Sequence, residues 1–292
     1  MQKLLEILAL DFPLRNSLWS SLLIGLVVPV VGVYLVIGRK AILALMLPPI
    51  STLGVAVTLM MGTLLGVDFA VHEHASAFLA AALCGAFITM GGALLWQELL
   101  RRNVDTPGDS DSGTMYACAT AAILVLAASR FVPELGLLDV LRGESLAVPD
   151  HLLIAEAVVL GIVVAVLGAM RHPFHFLLFD EKLAYAAGLP ARWLSLLLQA
   201  LICLTISIGG LCAGPLAVFG FLVIPALTVL PFVRRMGHLY LYASAIGFFC
   251  AFTGFYLSYT LEEVNVPVTA AQILLLGFIW VLTRLGYLIW EH

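Results

Sequence analysis

The feature that most constrains this chain is the recurrence, along its whole length, of runs of about 18 or more residues almost free of charge. Each run, wound as a helix rising about 1.5 Å per residue, can cross a hydrocarbon core about 30 Å thick. Of the 292 residues 62% are apolar and 11% charged, where soluble domains run at roughly 45–50% apolar and about 25% charged. No soluble core hides that much apolar surface. The sequence therefore predicts an all-α integral membrane protein of a bacterial-type inner membrane, with most of its helix inside lipid.

Nine spans are expected, at 17–37, 41–66, 76–100, 114–132, 151–170, 193–211, 215–233, 239–259 and 267–289. They form one transmembrane domain over 1–292, with nothing left for a soluble domain. The longest connections are 101–113, 133–150 and 171–192, and only the last has a helical pattern of its own. The first sixteen residues carry Glu6 and Asp11 around a short apolar stretch. They lack a long uncharged core and a small-residue cleavage site, and read as an interfacial lead-in rather than a secretory signal. Cys84, Cys118, Cys203, Cys212 and Cys250 all fall in apolar segments without close pairing, which reads as small core residues. Gly85, Gly91, Gly92, Gly161, Gly168, Gly209, Gly210, Gly214 and Gly220 are expected to let helices approach closely.

Assigning alternate loops to one side gathers Arg39, Lys40, Arg101, Arg102, Arg171, Lys182, Arg192, Arg234, Arg235 and Arg284 together, leaving Lys3, Arg15, Arg130 and Arg142 opposite. The positive-inside rule makes the first group cytoplasmic, with an external N-terminus. The external loops then hold Asp68, His72, Glu73, His74, Glu134, Asp139, Glu144, Asp150, Glu262 and Glu263. Such a face attracts cations, and it is equally the composition of ordinary solvated loops.

The cytoplasmic stretch Phe179-Asp180-Glu181-Lys182-Leu183-Ala184-Tyr185-Ala186-Ala187-Gly188-Leu189-Pro190 carries start and stop signals for a short helix. Asp180 can cap it, Glu181 sits at its positive end, Gly188 can take the left-handed exit and Pro190 blocks continuation. Leu183, Ala184 and Ala187 share a small apolar face, the kind that docks into another protein. A connector lying on the inner leaflet is the alternative, but it would carry more Lys and Arg and larger apolar groups. The chain contains no Gly-x-x-x-x-Gly-Lys-Ser/Thr loop for binding ATP by that route.

At these residues the chain resembles the permease subunits of ABC transporters that import zinc, manganese or iron. Further likenesses are Gly209-Gly210-Leu211-Cys212-Ala213-Gly214-Pro215-Leu216 running to Phe221-Leu222-Val223-Ile224-Pro225-Ala226, and Gly32-Val33-Tyr34-Leu35-Val36-Ile37-Gly38-Arg39-Lys40 at the end of the first span. The resemblance covers about residues 17 to 285 and implies that 179–190 is a coupling helix seated in a groove of a separate ATPase. It also implies a dimer with a second permease copy or paralogue, and an extracytoplasmic metal-binding protein meeting the acidic outer loops. The bilayer completes the partners; neither nucleic acid nor a resident cofactor is expected, and the metal ligands are unknown.

In that family the second span usually carries an Asp and, four residues on, a His. Here the matching positions are Met46 and Ile50, which offer a soft thioether and nothing. Pro48 and Pro49 lie near the middle of the span and remove amide donors, so a break or re-entrant kink is expected there, followed by Ser51 and Thr52. Met46, Pro48, Pro49, Ile50, Ser51 and Thr52 are thus pathway candidates, with a packing kink as the alternative. Glu156, inside the fifth span, can guide a cation, snorkel, or pair with His151. Glu98 beside Arg101 and Arg102 reads as an interfacial ion pair, His172 and His175 as interfacial, and His72-Glu73-His74 as a weak capture motif.

The reading that follows is the permease subunit of an ATP-driven importer for a transition-metal ion, with no enzymatic activity of its own. Two alternatives stay open: an ion-driven secondary transporter, for which paired intramembrane acids are not evident, and a partner permease of a heterodimer that lacks its own ligands. A membrane-embedded enzyme would need His, Asp or Glu clustered at one depth.

Overall fold

The computed structural model describes residues 14–38, 41–64, 75–102, 108–128, 150–179, 188–260 and 266–290. These form ten helices: α1 (Arg15–Ile37), α2 (Ala41–Leu64), α3 (Ala75–Arg102), α4 (Gly108–Ala128), α5 (Asp150–Ala169), α6 (Arg171–Phe179), α7 (Ala191–Ala213), α8 (Pro215–Val229), α9 (Met236–Thr260) and α10 (Val268–Trp290). Nine match the expected spans one for one. Of these α1, α5, α7, α9 and α10 are long and apolar enough to cross a membrane. The described apolar stretches of α2, α3 and α4 are shorter, at Ala44–Thr58, Leu83–Leu95 and Gly113–Leu126.

One expectation is corrected here and another falls outside the described residues. The span at 215–233 is a helix only to Val229, 15 residues or roughly 22 Å, because Pro231 has no N–H with which to continue it. In the connection 171–192 the described helix is α6, which precedes the segment expected to be helical, while Asp180, Glu181, Leu183, Ala184 and Ala187 lie outside the described residues. Gly188 has φ +74° and Leu189-Pro190 lead directly into α7.

α1 is the inner helix: 72% of its apolar window is buried, against 22% for α10. Its neighbours come close through glycine. A Cβ on Gly25 would stand 2.6 Å from the Ala251 Cβ and 2.8 Å from the Gly247 carbonyl oxygen, and one on Gly32 would fall on the Leu222 carbonyl. Pro29, within α1, returns no N–H to the Gly25 carbonyl, and that carbonyl is what Gly247 packs against. Removing a donor in α1 thus leaves an acceptor for a close Cα–H contact from α9.

Pairings along α1 set the helix directions. Asn16 Nδ2 donates to Asp150 Oδ1 (2.6 Å) and Ser20 Oγ to Glu156 Oε2 (2.6 Å), so α5 runs parallel to α1. Ser244 Oγ donates to the Leu26 carbonyl while Ala251 meets Gly25, so α9 runs antiparallel to it. Gln272 Nε2 donates to Ser21 Oγ and to the Ala251 carbonyl, and its backbone packs on Gly254, seating the start of α10 beside the start of α1. Between α7 and α8 the chain turns at Gly214 (φ +84°).

Among the glycines expected at close contacts, Gly85, Gly92, Gly209 and Gly220 are so placed, with Ser207, Ile50, Val218 and Ile273 within 2.5–3.2 Å of an added Cβ. Gly91, Gly161 and Gly168 meet nothing within 4 Å among the described residues, so the close contacts expected at them are not formed there. Cys203, Cys212 and Cys250 are buried as expected, but Cys84 and Cys118 are exposed, since they lie on outward faces of α3 and α4.

Gly32→Ala should destabilise the chain by about 1–3 kcal/mol through overpacking against rigid backbone, while Gly161→Ala should stay within about 0.5 kcal/mol of the parent. Thermal unfolding of the two purified variants in one detergent checks this.

Candidate functional site

α2 is an unbroken helix through Pro48 and Pro49, which corrects the expected break. Those prolines still supply no N–H to the Ala44 and Leu45 carbonyls, but the helix on either side bridges the gap. Thr52 Oγ1 adds a bond of its own to the Pro48 carbonyl (3.1 Å). Met46 and Ile50 are buried in the main core, and the Ile50 side chain lies against Gly92 of α3.

Beyond them, hydroxyls collect where α2, α3 and α7 meet. Ser51 and Thr52 are buried, and among the described residues Ser51 Oγ meets no hydrogen-bond partner. The Ser51 carbonyl and Ser207 Oγ both border Gly85, whose carbonyl accepts from Thr89 Oγ1. Thr52 Oγ1 lies 3.7 Å from an added Cβ on Gly210. The seam is polar without charge: its hydroxyls can replace some water around a solute but cannot neutralise a cation.

Glu156 is the charged exception. It is 0% exposed, so it does not snorkel; the side chain of His151 lies outside the described residues. Ser20 Oγ donates to Oε2 and the Cys212 thiol is hydrogen-bonded to the carboxyl, while among the described residues Oε1 meets no partner. The last turn of α7 joins the two regions, since Gly210 faces the Thr52 hydroxyl and Cys212 is hydrogen-bonded to Glu156. Sequence reasoning named Ser51, Thr52 and Glu156 but missed Ser20, Thr89, Ser207 and any polar role for Cys212. The usable signal was that a buried carboxylate needs a donor from a neighbouring helix. Among the described residues no group of three or more His, Cys, Asp or Glu side chains converges as a metal site.

At the opposite end, α6 is held by an aromatic stack. His175 Nε2 is 3.0 Å from Tyr240 Oη, the two rings lie within 8° of parallel, and Tyr34 stacks against His175 and meets Phe174 edge-on. The helix that leads into 180–187 is thereby tied to the C-terminal turn of α1 and the first turns of α9. Burial, then the charges of His172 and Arg171, hold the His175 imidazole below its ordinary value. The side chains of Phe179, Glu98, Arg101 and Arg102, and the whole of Arg39, Lys40 and His72-Glu73-His74, lie outside the described residues.

The ABC 3 transport family model matches residues 11–285. The manganese transport system membrane protein MntC of Listeria innocua is 24% identical over 267 residues, 91% of this chain and 88% of that protein. A protein of Treponema pallidum described as a "Probable metal transport system membrane protein" is 25% identical over 276 residues, 94% of this chain and 96% of that protein. The fold matches PsaBC from Streptococcus pneumoniae, solved in complex with Fab, at TM-score 0.80 and 19% identity, over 97% of this chain and 94% of that one. The family match, on an all-helical bundle with apolar spans, defines a multi-pass membrane transport protein. The chain belongs to the ABC 3 transport family.

Because the folded-state value of His175 lies below that of the unfolded chain, the unfolded state takes up a proton first. Its contribution to stability is therefore present above about pH 6.5 and declines as pH falls from there toward the lower folded value. His175→Phe should flatten this part of the stability profile, measured as melting temperature between pH 7.5 and pH 5.

Proposed function

We propose that this chain is the membrane-spanning permease subunit of an ATP-driven importer for a transition-metal ion, set in a bacterial cytoplasmic membrane. The observation that carries the reading is the family match over nearly the whole chain, joined to a helix bundle with a buried hydroxyl seam at its centre. A separate cytoplasmic ATPase hydrolyses ATP, a second permease copy or paralogue completes the pathway, and an extracytoplasmic binding protein delivers the ion. The names of the Listeria and Treponema relatives favour manganese or a related metal.

The residues suit weak, sequential handling of the ion. Conduction needs binding that is favourable enough to enter and loose enough to leave. Met46 and Ile50 supply no hard ligand, so the α2 face offers Ser51 and Thr52 as neutral oxygens, and stronger donors lie elsewhere on this chain or on a partner permease. Closure of the ATPase pair would act on the segment Asp180, Glu181, Leu183, Ala184, Ala187 and Gly188. From there α6 and its Tyr34–His175–Tyr240 stack carry the movement to α1 and α9, switching access between the two sides.

Gly188 has positive φ with nothing within 4 Å among the described residues, so Gly188→Val strains the backbone there. Together with Ala184→Trp it tests the coupling segment. Both variants should fold and keep their ATPase association, yet lose at least about tenfold in ATP-driven metal uptake, equivalent to about 1.4 kcal/mol. Normal uptake by both would remove the coupling role.

A further inference from the structure

We propose that Glu156, Cys212 and Ser20 form a binding site for a divalent cation of the zinc type, close to the end of the bundle where α1 and α5 begin. The proposal rests on the permease reading and deepens it, by giving this chain a charged ligand set that the α2 positions lack.

Three elements build the site. Glu156 of α5 is wholly buried; Ser20 Oγ of α1 donates to Oε2 at 2.6 Å and the Cys212 thiol is hydrogen-bonded to the same carboxyl, yet among the described residues Oε1 meets no partner. A buried carboxyl left half-satisfied is costly in either charge state. Ionised, it needs a counter-charge; neutral, it carries an O–H that needs an acceptor. Among the described residues no basic side chain supplies the counter-charge. The Cys212 thiol of α7 lies against the same carboxyl, and the pair can give a cation one sulfur and one or two oxygens, with the Ser20 hydroxyl at hand.

The backbone adds to this. α7 ends at Ala213, and Pro215 has no N–H to return to the Leu211 carbonyl. Cys212 thus sits in the carbonyl-rich, partly negative last turn of a helix, which favours a cation. Carboxylate with thiolate selects a borderline ion such as zinc, cadmium or cobalt over a hard one such as magnesium. Glu156 stands six residues into α5, roughly 9 Å from its start, and the next residues along α7 toward its N-terminus, Gly210 and Ser207, border the hydroxyl seam. A cation held here would stand at the head of that seam.

The test uses the full-length chain with Cys84, Cys118, Cys203 and Cys250 replaced by Ser, leaving Cys212 as its one thiol, titrated with Co²⁺ in nanodiscs. A thiolate-to-Co²⁺ charge-transfer band saturating at one ion per chain is expected. Cys212→Ser should abolish the band, and Glu156→Gln should weaken binding at least about tenfold. Zn²⁺ should displace Co²⁺ and slow alkylation of Cys212 in the chain that keeps Glu156, a readout that does not depend on the Gln variant folding. Absence of the band, unchanged affinity in a folded Glu156→Gln, or alkylation indifferent to Zn²⁺ would each overturn the site. ATP-driven uptake by the assembled transporter without the band would strike the site and leave the permease reading standing; the band without uptake would do the reverse.

Discussion

The closeness of α1 to its neighbours is the constraint on which the rest of the bundle depends. Lipid tails are as apolar as leucine, so burying apolar side chains does little to draw helices together in a bilayer, and contact quality has to do it. Gly25 against Gly247 and Gly32 against the Leu222 carbonyl bring α9 and α8 onto α1 at backbone distance. Once α1 is seated, its polar side chains have fixed partners at successive depths. Ser20 meets Glu156 and Ser21 meets Gln272 near its start, and Tyr34 meets His175 near its end. The same helix therefore orients the buried carboxyl near its start and α6 near its end.

Much of the architecture was legible in the sequence because charge-free runs of that length have few other fates. All nine expected spans coincide with helices, and the turn of positive φ at Gly188 falls where a helix exit was read. The differences have local causes. Helix α8 stops early at Pro231. The double proline of α2 does not interrupt it, since hydrogen bonds on both sides span the gap. Glycine count alone could not separate Gly32, pressed against a carbonyl, from Gly161, which meets no described residue within 4 Å, because the distinction depends on which face of the helix looks inward.

The candidate site was half legible. Ser51, Thr52 and Glu156 were named from the sequence as polar groups at membrane depth, and the structure buries all three. Their partners were not named, because Ser207, Thr89, Ser20 and Cys212 come from other helices and look unremarkable in apolar runs. What the fold adds is the grouping: buried hydroxyls where α2, α3 and α7 meet, and a buried carboxyl with a thiol beside it at the end of α7. Met46 and Ile50, at the positions where the resemblance led one to expect ligands, pack in the core. A pathway built this way would hold an ion briefly and at more than one place, as passage requires.

The central claim is that this chain conducts a metal ion when driven by a separate ATPase. It is tested most directly by reconstituting the chain with its ATPase in proteoliposomes, with external binding protein, and following manganese and zinc uptake by metal analysis of the vesicles. The account predicts accumulation of one or both ions that requires ATP on the ATPase side and stops when this chain is left out. Equal metal content with and without ATP, in vesicles that contain both subunits and hydrolyse ATP, would contradict it.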